Sequence, residues 1–527
     1  MANKTLFKSI VGKLIPRTDA INEAGGVAYK LSPKAALAQY AGTGCLNSTF
    51  YASASDQLQT VLDLCASSDI EPEYIARVAL YARSKGKMKD LPALLCAVLS
   101  VFSPGLLAEV FDRVIDDGRM LRNFVQIMRS GAVGRKSLGS LPKRLVQQWF
   151  ESRSDEQIFR ASVGNDPSIA DVIKMVHPKP KTASRAALFG DLIGQTYNAD
   201  DLPSIVKSFE AFKAGIATEG ARPAIPDVPF QMLTSLSLNK DDWREIARNA
   251  PWQMTRMNLN TFARHDVFKD SSLTKQIANR LRDENAIARA KVFPYQLMVA
   301  FMQADANVPV EVRDALQDAM EIATRNVPSF GGQVYVCPDV SGSMHSPITG
   351  VRKGATTAVK CVDVAALVAA CVLRRNPGAE AIPFHDTVVR GVRLNSRDSV
   401  MINAKVLSSL PSGGTNCSAP LAGLNASQST GDLVIYVSDN ESWVDKTHGR
   451  GTATMQQWTA FKRRNPQAKL VCIDLQPYST TQATDTGRDD VLNIGGFSDA
   501  VFDVIGAFAK GELNNDHWVG VIEKETL

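Results

Sequence analysis

A chain of 527 residues, 45% hydrophobic and 21% charged, is too long for a single core and too apolar for disorder, which excludes fibrous and low-complexity classes. The formal net charge of +5 is small for this length but uneven: residues 331–527 hold 18 Lys+Arg against 19 Asp+Glu, residues 1–330 hold 41 against 35. The positive surplus therefore falls on the N-terminal part and points to a polyanionic partner there.

At the N-terminus, Phe7, Ile10, Val11 and Leu14 fall at helical spacing, which predicts a short amphipathic helix. The same stretch lacks the continuous apolar region and small-residue cleavage site of a secretory signal. Val362–Leu373, the longest strongly apolar run, is too short to cross a bilayer and reads as a buried helix, so no membrane partner is expected. Eight cysteines (Cys45, Cys65, Cys96, Cys337, Cys361, Cys371, Cys417 and Cys472) are scattered through apolar segments without a C-x-x-C pair. That pattern favours free buried thiols in a reducing compartment, and the expected location is the cytoplasm.

From Asp56 to Asn326 one helical pattern follows another, as in DQLQTVLDLCA, PEYIARVALYARSKG, GRMLRNFVQIMRSG and PVEVRDALQDAMEIATRN. Runs of about a dozen residues, punctuated by Gly, Pro, Ser or Asp, suit antiparallel helix pairs stacked as an irregular α-solenoid of the HEAT kind. A plain helical bundle is the alternative, but so long a series of helix pairs does not close easily around one core.

The texture changes at NVPSFGGQ. Beyond it, the apolar runs QVYVCPDV, AEAIPFHDTVVRGV, DLVIYVSD and KLVCIDL alternate with helical patterns such as VKCVDVAALVAACVLRR and MQQWTAFKRR. Strands apolar on nearly every residue, separated by helices, predict a doubly wound, mostly parallel sheet covered on both faces. The expected domains are thus residues 1–330, all helical, and 331–527, α/β and Rossmann-like.

In such a sheet, ligands bind beyond the carboxyl ends of the strands. Three segments there carry oxygen donors: Asp339, Ser341 and Ser343 in DVSGS, Thr415 in GGTN, and Asp439 in SDNE. Carboxylates and hydroxyls without His or Cys suit a hard divalent cation, magnesium first and manganese second. Ser341 and Ser343 are expected to bind the ion directly, Thr415 directly or through water, and the two aspartates mainly through water, with Gly342 easing the turn. Few direct carboxylates would leave the ion receptive to an outside acidic group. A phosphoryl-transfer aspartate would want a second carboxylate in the same loop, and a serine nucleophile a G-x-S-x-G elbow with His and acid partners; neither is present.

These residues, in this order, resemble the metal-ion-dependent adhesion site of von Willebrand A domains. The whole chain resembles the Ro autoantigen family, the TROVE-domain RNA-binding proteins, through NEAGGVAYKLSP (22–33), GTGCLNSTFYAS (42–53), GRKSLGSLPKRLVQQWFES (134–152) and SIADVIKMVHPKP (168–180). The resemblance implies HEAT-like repeats closed into a ring with a basic central hole, small noncoding Y-like RNAs on the outer surface, and single-stranded ends of misfolded RNAs in the hole. It also implies cooperation with an exoribonuclease such as polynucleotide phosphorylase, and a monomer in the absence of RNA. Carried onto the matched blocks, the RNA contacts are Lys143, Arg144, Lys174, His177, Lys179 and Lys181, with Arg135 and Lys136 as further basic candidates. Against these stand solvated helix faces for the lysines and a helix C-terminal cap for His177.

The reading that follows is a non-catalytic RNA-binding scaffold. A cation-dependent protein adaptor with no RNA role is the alternative. A metal-dependent nuclease is disfavoured, because one cation ringed by hydroxyls has neither general base nor second metal within sequence reach. His265, His345, His385, His448 and His517 show no ligand spacing and receive no role.

Overall fold

The structure is a computed structural model that describes residues 15–527 apart from 44–45, 218–222, 291, 293, 352–358, 444–450, 497 and 514–516. The expected helix around Phe7–Leu14, Cys45 and His448 lie outside the described residues.

The chain divides into two compact units. One comprises Pro92–Ala290 with Ala300–Ala319; the other comprises Met1–Leu91, Lys291–Val299 and Met320–Thr526. The expected boundary at residue 330 marks where helices give way to alternating strands and helices. The compact units cut the chain elsewhere, because an N-terminal hairpin and helices Pro33–Thr43 and Pro72–Ser84 join the second unit, packing on strand Val491–Gly495 and helix His517–Glu523. Strands β1 (Ala20–Ile21) and β2 (Val27–Lys30) are antiparallel, and β2 continues onto β7 (Thr480–Thr481) with Tyr29 opposite Thr481.

The first unit is built of short helices, as the periodicity predicts. Helix Gly118–Ser130 buries Met120, Leu121, Phe124, Val125 and Met128, a single stripe at intervals of one, three and four. Asp117 caps its first turn by accepting from the Met120 amide, and Gly131 ends it in the left-handed region at φ 90°. Helix Ser140–Ser152 buries Leu145, Val146, Trp149 and Phe150, and the Trp149 indole N–H donates to the Ile115 carbonyl at 2.8 Å. Helix Ile169–Val176 packs against both of these and against helix Ala183–Ile193. Its start is fixed by a reciprocal capping box between Ser168 and Asp171.

The second unit holds a five-stranded sheet with β3 (Val334–Pro338), β4 (Glu380–Ala381), β5 (Leu433–Ser438), β6 (Lys469–Asp474) and β8 (Val491–Gly495) in the order β4-β3-β5-β6-β8. Every neighbouring pair is parallel. The strands are apolar on consecutive positions because both faces are covered. Tyr335, Cys337, Val434, Tyr436, Leu470 and Cys472 share one core with Met455, Trp458 and Phe461 of helix Ala453–Arg464. The alternate residues face the other way, where helix Cys361–Arg375, apolar from Val364 to Leu373, packs on β3 and β5. No described helix is long and apolar enough to cross a membrane. The run AEAIPFHDTVVRGV yields only the two-residue β4, followed by isolated bridges from Phe384 to Asp339 and Val388. It lies at the sheet edge, where Pro383, with no amide to donate, can be accommodated.

Candidate cation site and basic face

The three oxygen-bearing loops meet at the carboxyl ends of β3 and β5. The Asp339 amide donates to Val437 O at 3.0 Å and the Ser438 hydroxyl to Asp339 Oδ2 at 2.5 Å, which joins the first loop to the third. The Gly342 amide donates to Gly413 O at 2.9 Å, and the Trp443 amide to Thr415 O at 3.3 Å, which brings in the second. All five residues singled out in the sequence are buried: Asp339 and Ser341 are 0% exposed, Asp439 1%, Thr415 2% and Ser343 5%. The hydroxyls of Ser341 and Ser343 stand 3.3 Å apart, and Ser341 N–H is held by Asp339 Oδ1 at 2.8 Å.

The glycines do not act where the sequence suggested. Gly342 adopts ordinary right-handed helical angles (φ −61°, ψ −39°), and a Cβ there would meet only Gly413 O at 3.6 Å. Its turn needs no special backbone freedom. Gly413 and Gly414 are constrained instead by close approach. A Cβ on Gly414 would fall 2.2 Å from Trp443 Nε1 and 2.4 Å from Asp386 Oδ1, and one on Gly413 would fall 2.6 Å from Asp386 Oδ2. Asp386 Oδ2 also accepts the Gly414 amide at 2.8 Å, so it shapes the loop that presents Thr415.

The electrostatics of the cluster are unfavourable as it stands. Burial, and after it the Asp439 charge, push the Asp339 carboxyl above the ordinary carboxylate range. Burial raises Asp439 as well, against hydrogen bonds led by Ser343 that oppose the shift. Asp439 Oδ2 is buried with no hydrogen-bond partner, and among the described residues no Lys or Arg pairs with either aspartate. Glu441, wholly buried alongside, accepts the Ala24 amide at 3.3 Å with one oxygen and leaves Oε1 unpartnered. Asp474 at the end of β6 is raised by burial and then by Asp439. Two carboxylates, three hydroxyls and an orphaned carboxylate oxygen are the donor set a hard divalent cation fits. Among the described residues, no group of three His, Cys, Asp or Glu converges as an alternative metal cage.

The basic candidates lie on the other compact unit. Lys174 is exposed on helix Ile169–Val176, and His177 is its C-cap, exposed and left-handed at φ 52°. Only the backbone caps: the His177 amide donates to Ile173 O at 2.9 Å while the residue is exposed. Gln147 of helix Ser140–Ser152 donates to Val176 O at 2.6 Å, and Glu151 of that helix pairs with Lys181 at 2.9 Å. Lys143, Gln147 and Glu151 are spaced by four, so they line one face of their helix and run along the segment from Val176 to Lys181. The helix face that carries Lys143 thus runs beside the segment that carries the exposed His177, Lys179 and Lys181. Arg144 and Lys136 are also exposed. Arg135 differs, since its guanidinium donates to the Ser100 carbonyl at 2.9 Å and braces the structure. Arg129, exposed and close enough to act on the Asp171 carboxylate together with Lys174, is a basic neighbour that sequence reasoning passed over.

Comparison with known proteins matches residues 333–509 to the Ro60 vWA domain. The chain is 26% identical to the RNA-binding protein RO60 of Deinococcus radiodurans over 97% of this chain and 100% of that protein. It is 23% identical to the RNA-binding protein RO60 of Caenorhabditis elegans over 53% of this chain and 44% of that one. The crystal structure of the Deinococcus radiodurans Ro protein shares the fold, with a TM-score of 0.62 at 20% identity, covering 92% of this chain and all of the other. A helical N-terminal region, a parallel-sheet domain that matches the Ro60 vWA domain and similarity along almost the whole length lead to one conclusion: the chain is similar to the Ro proteins from end to end and shares their fold.

Proposed function

We propose that the protein is a non-catalytic RNA-binding scaffold of the cytoplasm. It would hold small noncoding Y-like RNAs and the single-stranded ends of misfolded RNAs, and present them for maturation or decay by an exoribonuclease such as polynucleotide phosphorylase. The observation that carries this reading is the run of exposed basic residues Lys174, His177, Lys179 and Lys181 at the end of one helix, beside the helix that carries Lys143 and Arg144. A relative named RNA-binding protein that matches 97% of this chain supports it. Cationic side chains on one face neutralise successive phosphates, and aromatic or imidazole rings add contacts to splayed bases.

The test is binding of a structured RNA with a single-stranded 3′ tail across a salt series. The wild type is compared with a Lys174→Ala, His177→Ala, Lys179→Ala variant. Loss of two lysine contacts lowers the slope of log affinity against log salt by about 1.4–1.8. Failure of the wild type to bind at low salt would sink the scaffold reading.

The von Willebrand A site is read as a magnesium or manganese site held by Asp339, Ser341, Ser343, Thr415 and Asp439. The cation would relieve the repulsion between the buried aspartates and supply an electrophilic position for an outside oxygen ligand. The exposed rings of Phe50 and Trp443 near that site favour a second reading beside RNA binding, the cation-dependent docking of a protein.

A further inference from the structure

The loop that carries Asp439 is gripped by a segment near the start of the chain. The turn between β1 and β2, residues 22–26, belongs to the same compact unit as the sheet and sits on the loop SDNES, residues 438–442. The turn is closed on itself. The Asn22 amide donates to Gly26 O at 2.8 Å, the Gly25 amide to Asn22 O at 3.0 Å, and the Gly26 amide to Asn22 Oδ1 at 2.7 Å. The other end of the same side chain, Asn22 Nδ2, donates to Ser442 O at 2.7 Å. Asn22 is 5% exposed and Ser442 0%, so water does not compete for this bond. The turn also offers the Ala24 amide to Glu441 Oε2 at 3.3 Å. Gly26 sets how closely the two segments lie, since a Cβ there would fall 2.1 Å from Ser442 O.

The grip passes to two of the three oxygen-bearing loops. Ser442 Oγ donates to Thr415 O at 3.3 Å and accepts the Cys417 amide at 3.4 Å, so the residue that Asn22 holds ties the SDNE loop to the GGTN loop. Beyond the turn, Tyr29 of β2 pairs with Thr481 of β7, whose hydroxyl accepts Asn440 Nδ2 at 3.0 Å. Asn440, next to Asp439, is left-handed at φ 62°, a conformation that costs an L residue energy and is kept by such bonds. The buried carboxyls of Asp339, Asp439 and Glu441 repel one another, and a loop free to yield would yield to that repulsion. A loop held beforehand spares the ion the cost of ordering it.

Resting on the cation reading above, we propose that Asn22 is a positioning residue of the cation site: its Nδ2 clamps Ser442 and so holds the Asp439 and Thr415 loops at the spacing the ion needs. The site is thereby composite. Its ligands come from the sheet loops, and its clamp from a hairpin outside the von Willebrand A match at residues 333–509.

The test uses the full chain with three substitutions. Asn22→Ala removes the clamp, and Gly26→Ala drives a methyl against Ser442 O. Asp19→Ala is the control, because it removes a bond of the same hairpin, from the Lys30 amide to Asp19 Oδ1 at 2.8 Å, that does not touch the loop. Mn2+ affinity is measured from the free-ion electron paramagnetic resonance signal. Amide exchange is followed by mass spectrometry in EDTA over residues 411–418 and 433–443. Asn22→Ala should weaken Mn2+ binding by about three- to tenfold, the size of one hydrogen bond, and Gly26→Ala by at least as much. Asp19→Ala should bind as the wild type does. In EDTA the first two variants should exchange faster in both segments, with residues 469–474 of β6 unchanged. Wild-type Mn2+ affinity in Asn22→Ala overturns the proposal. An equal loss in Asp19→Ala overturns it too, and makes the hairpin a source of general stability only. A wild type that binds no Mn2+ removes the cation reading, a separate result. Exchange in EDTA reads the clamp without metal, and unchanged exchange in Asn22→Ala overturns it there.

Discussion

Replacing Asp439 by Asn tests the cation site through two effects of opposite sign. Asp339 and Asp439 are buried to 0% and 1% exposure, repel one another, and among the described residues have no cationic partner. Without metal, Asp439→Asn removes one acidic group from a buried cluster that also holds Asp339, Glu441 and Asp474. The amide oxygen can still accept from the Glu441 N–H, which now reaches Asp439 Oδ1 at 3.4 Å. A gain of about 1–2 kcal/mol is expected, the lower part of the range for replacing buried ionic groups by neutral ones of similar volume. At about 2–4 °C per kcal/mol for a unit of this size, the apo melting point should rise by about 2–8 °C. With magnesium at a hundred times its dissociation constant, the wild type should gain about 2.7 kcal/mol that the variant cannot. The order of stability therefore inverts on adding metal. The assay is thermal unfolding followed by circular dichroism, with EDTA and then with a magnesium series. A variant that is less stable than wild type in EDTA, or that keeps the full magnesium shift, would refute the account.

Further substitutions separate structural from functional roles. Gly414→Ala places a methyl 2.2 Å from the Trp443 indole and 2.4 Å from Asp386, so it should displace the Thr415 loop and weaken Mn2+ binding, read by the free-ion resonance signal. Ser168→Ala removes the side-chain cap of helix Ile169–Val176 and should cost about 1 kcal/mol in urea unfolding, with RNA affinity falling as His177 loses its support. Arg135→Ala should lower stability by about 1–3 kcal/mol through the lost bond to the buried Ser100 carbonyl, whereas exposed Lys136→Ala should leave the melting point unchanged. Equal thermal shifts in those two would show that Arg135 does not brace the helices.

How far the site was legible follows from where its information lies. Asp339, Ser341 and Ser343 are local in the chain, and the parallel order of β3 and β5 brings the SDNE loop beside them. Strand apolarity and loop chemistry therefore pointed to all five residues. The strap of Asn47 and Ser48 over the loop after β3 left no such trace, because a long-range contact has neither period nor spacing. The hairpin of β1 and β2 was missed for a related reason: strands of two and four residues are shorter than the alternation pattern needs. Gly342 shows the opposite failure. A glycine between two serines suggested a tight turn that needs its freedom, whereas the structure needs glycine at Gly413 and Gly414, where another side chain approaches. Sequence pattern reports backbone preference, but it is silent on crowding by residues from elsewhere.

The two readings of function are experimentally separable because their residues fall in different compact units. Lys174, His177 and Lys179 lie in Pro92–Ala290, and the cation cluster lies in the unit that holds the sheet. Their effects should therefore add, as they do for sites with no shared partner. If RNA affinity is lost in the lysine variant and untouched by Asp439→Asn at saturating magnesium, RNA and cation act through independent surfaces, and the cation belongs to a protein ligand. If Asp439→Asn also weakens RNA binding, magnesium and RNA are thermodynamically linked. Reciprocity then requires RNA to tighten magnesium by the same factor, which the free-ion titration measures directly.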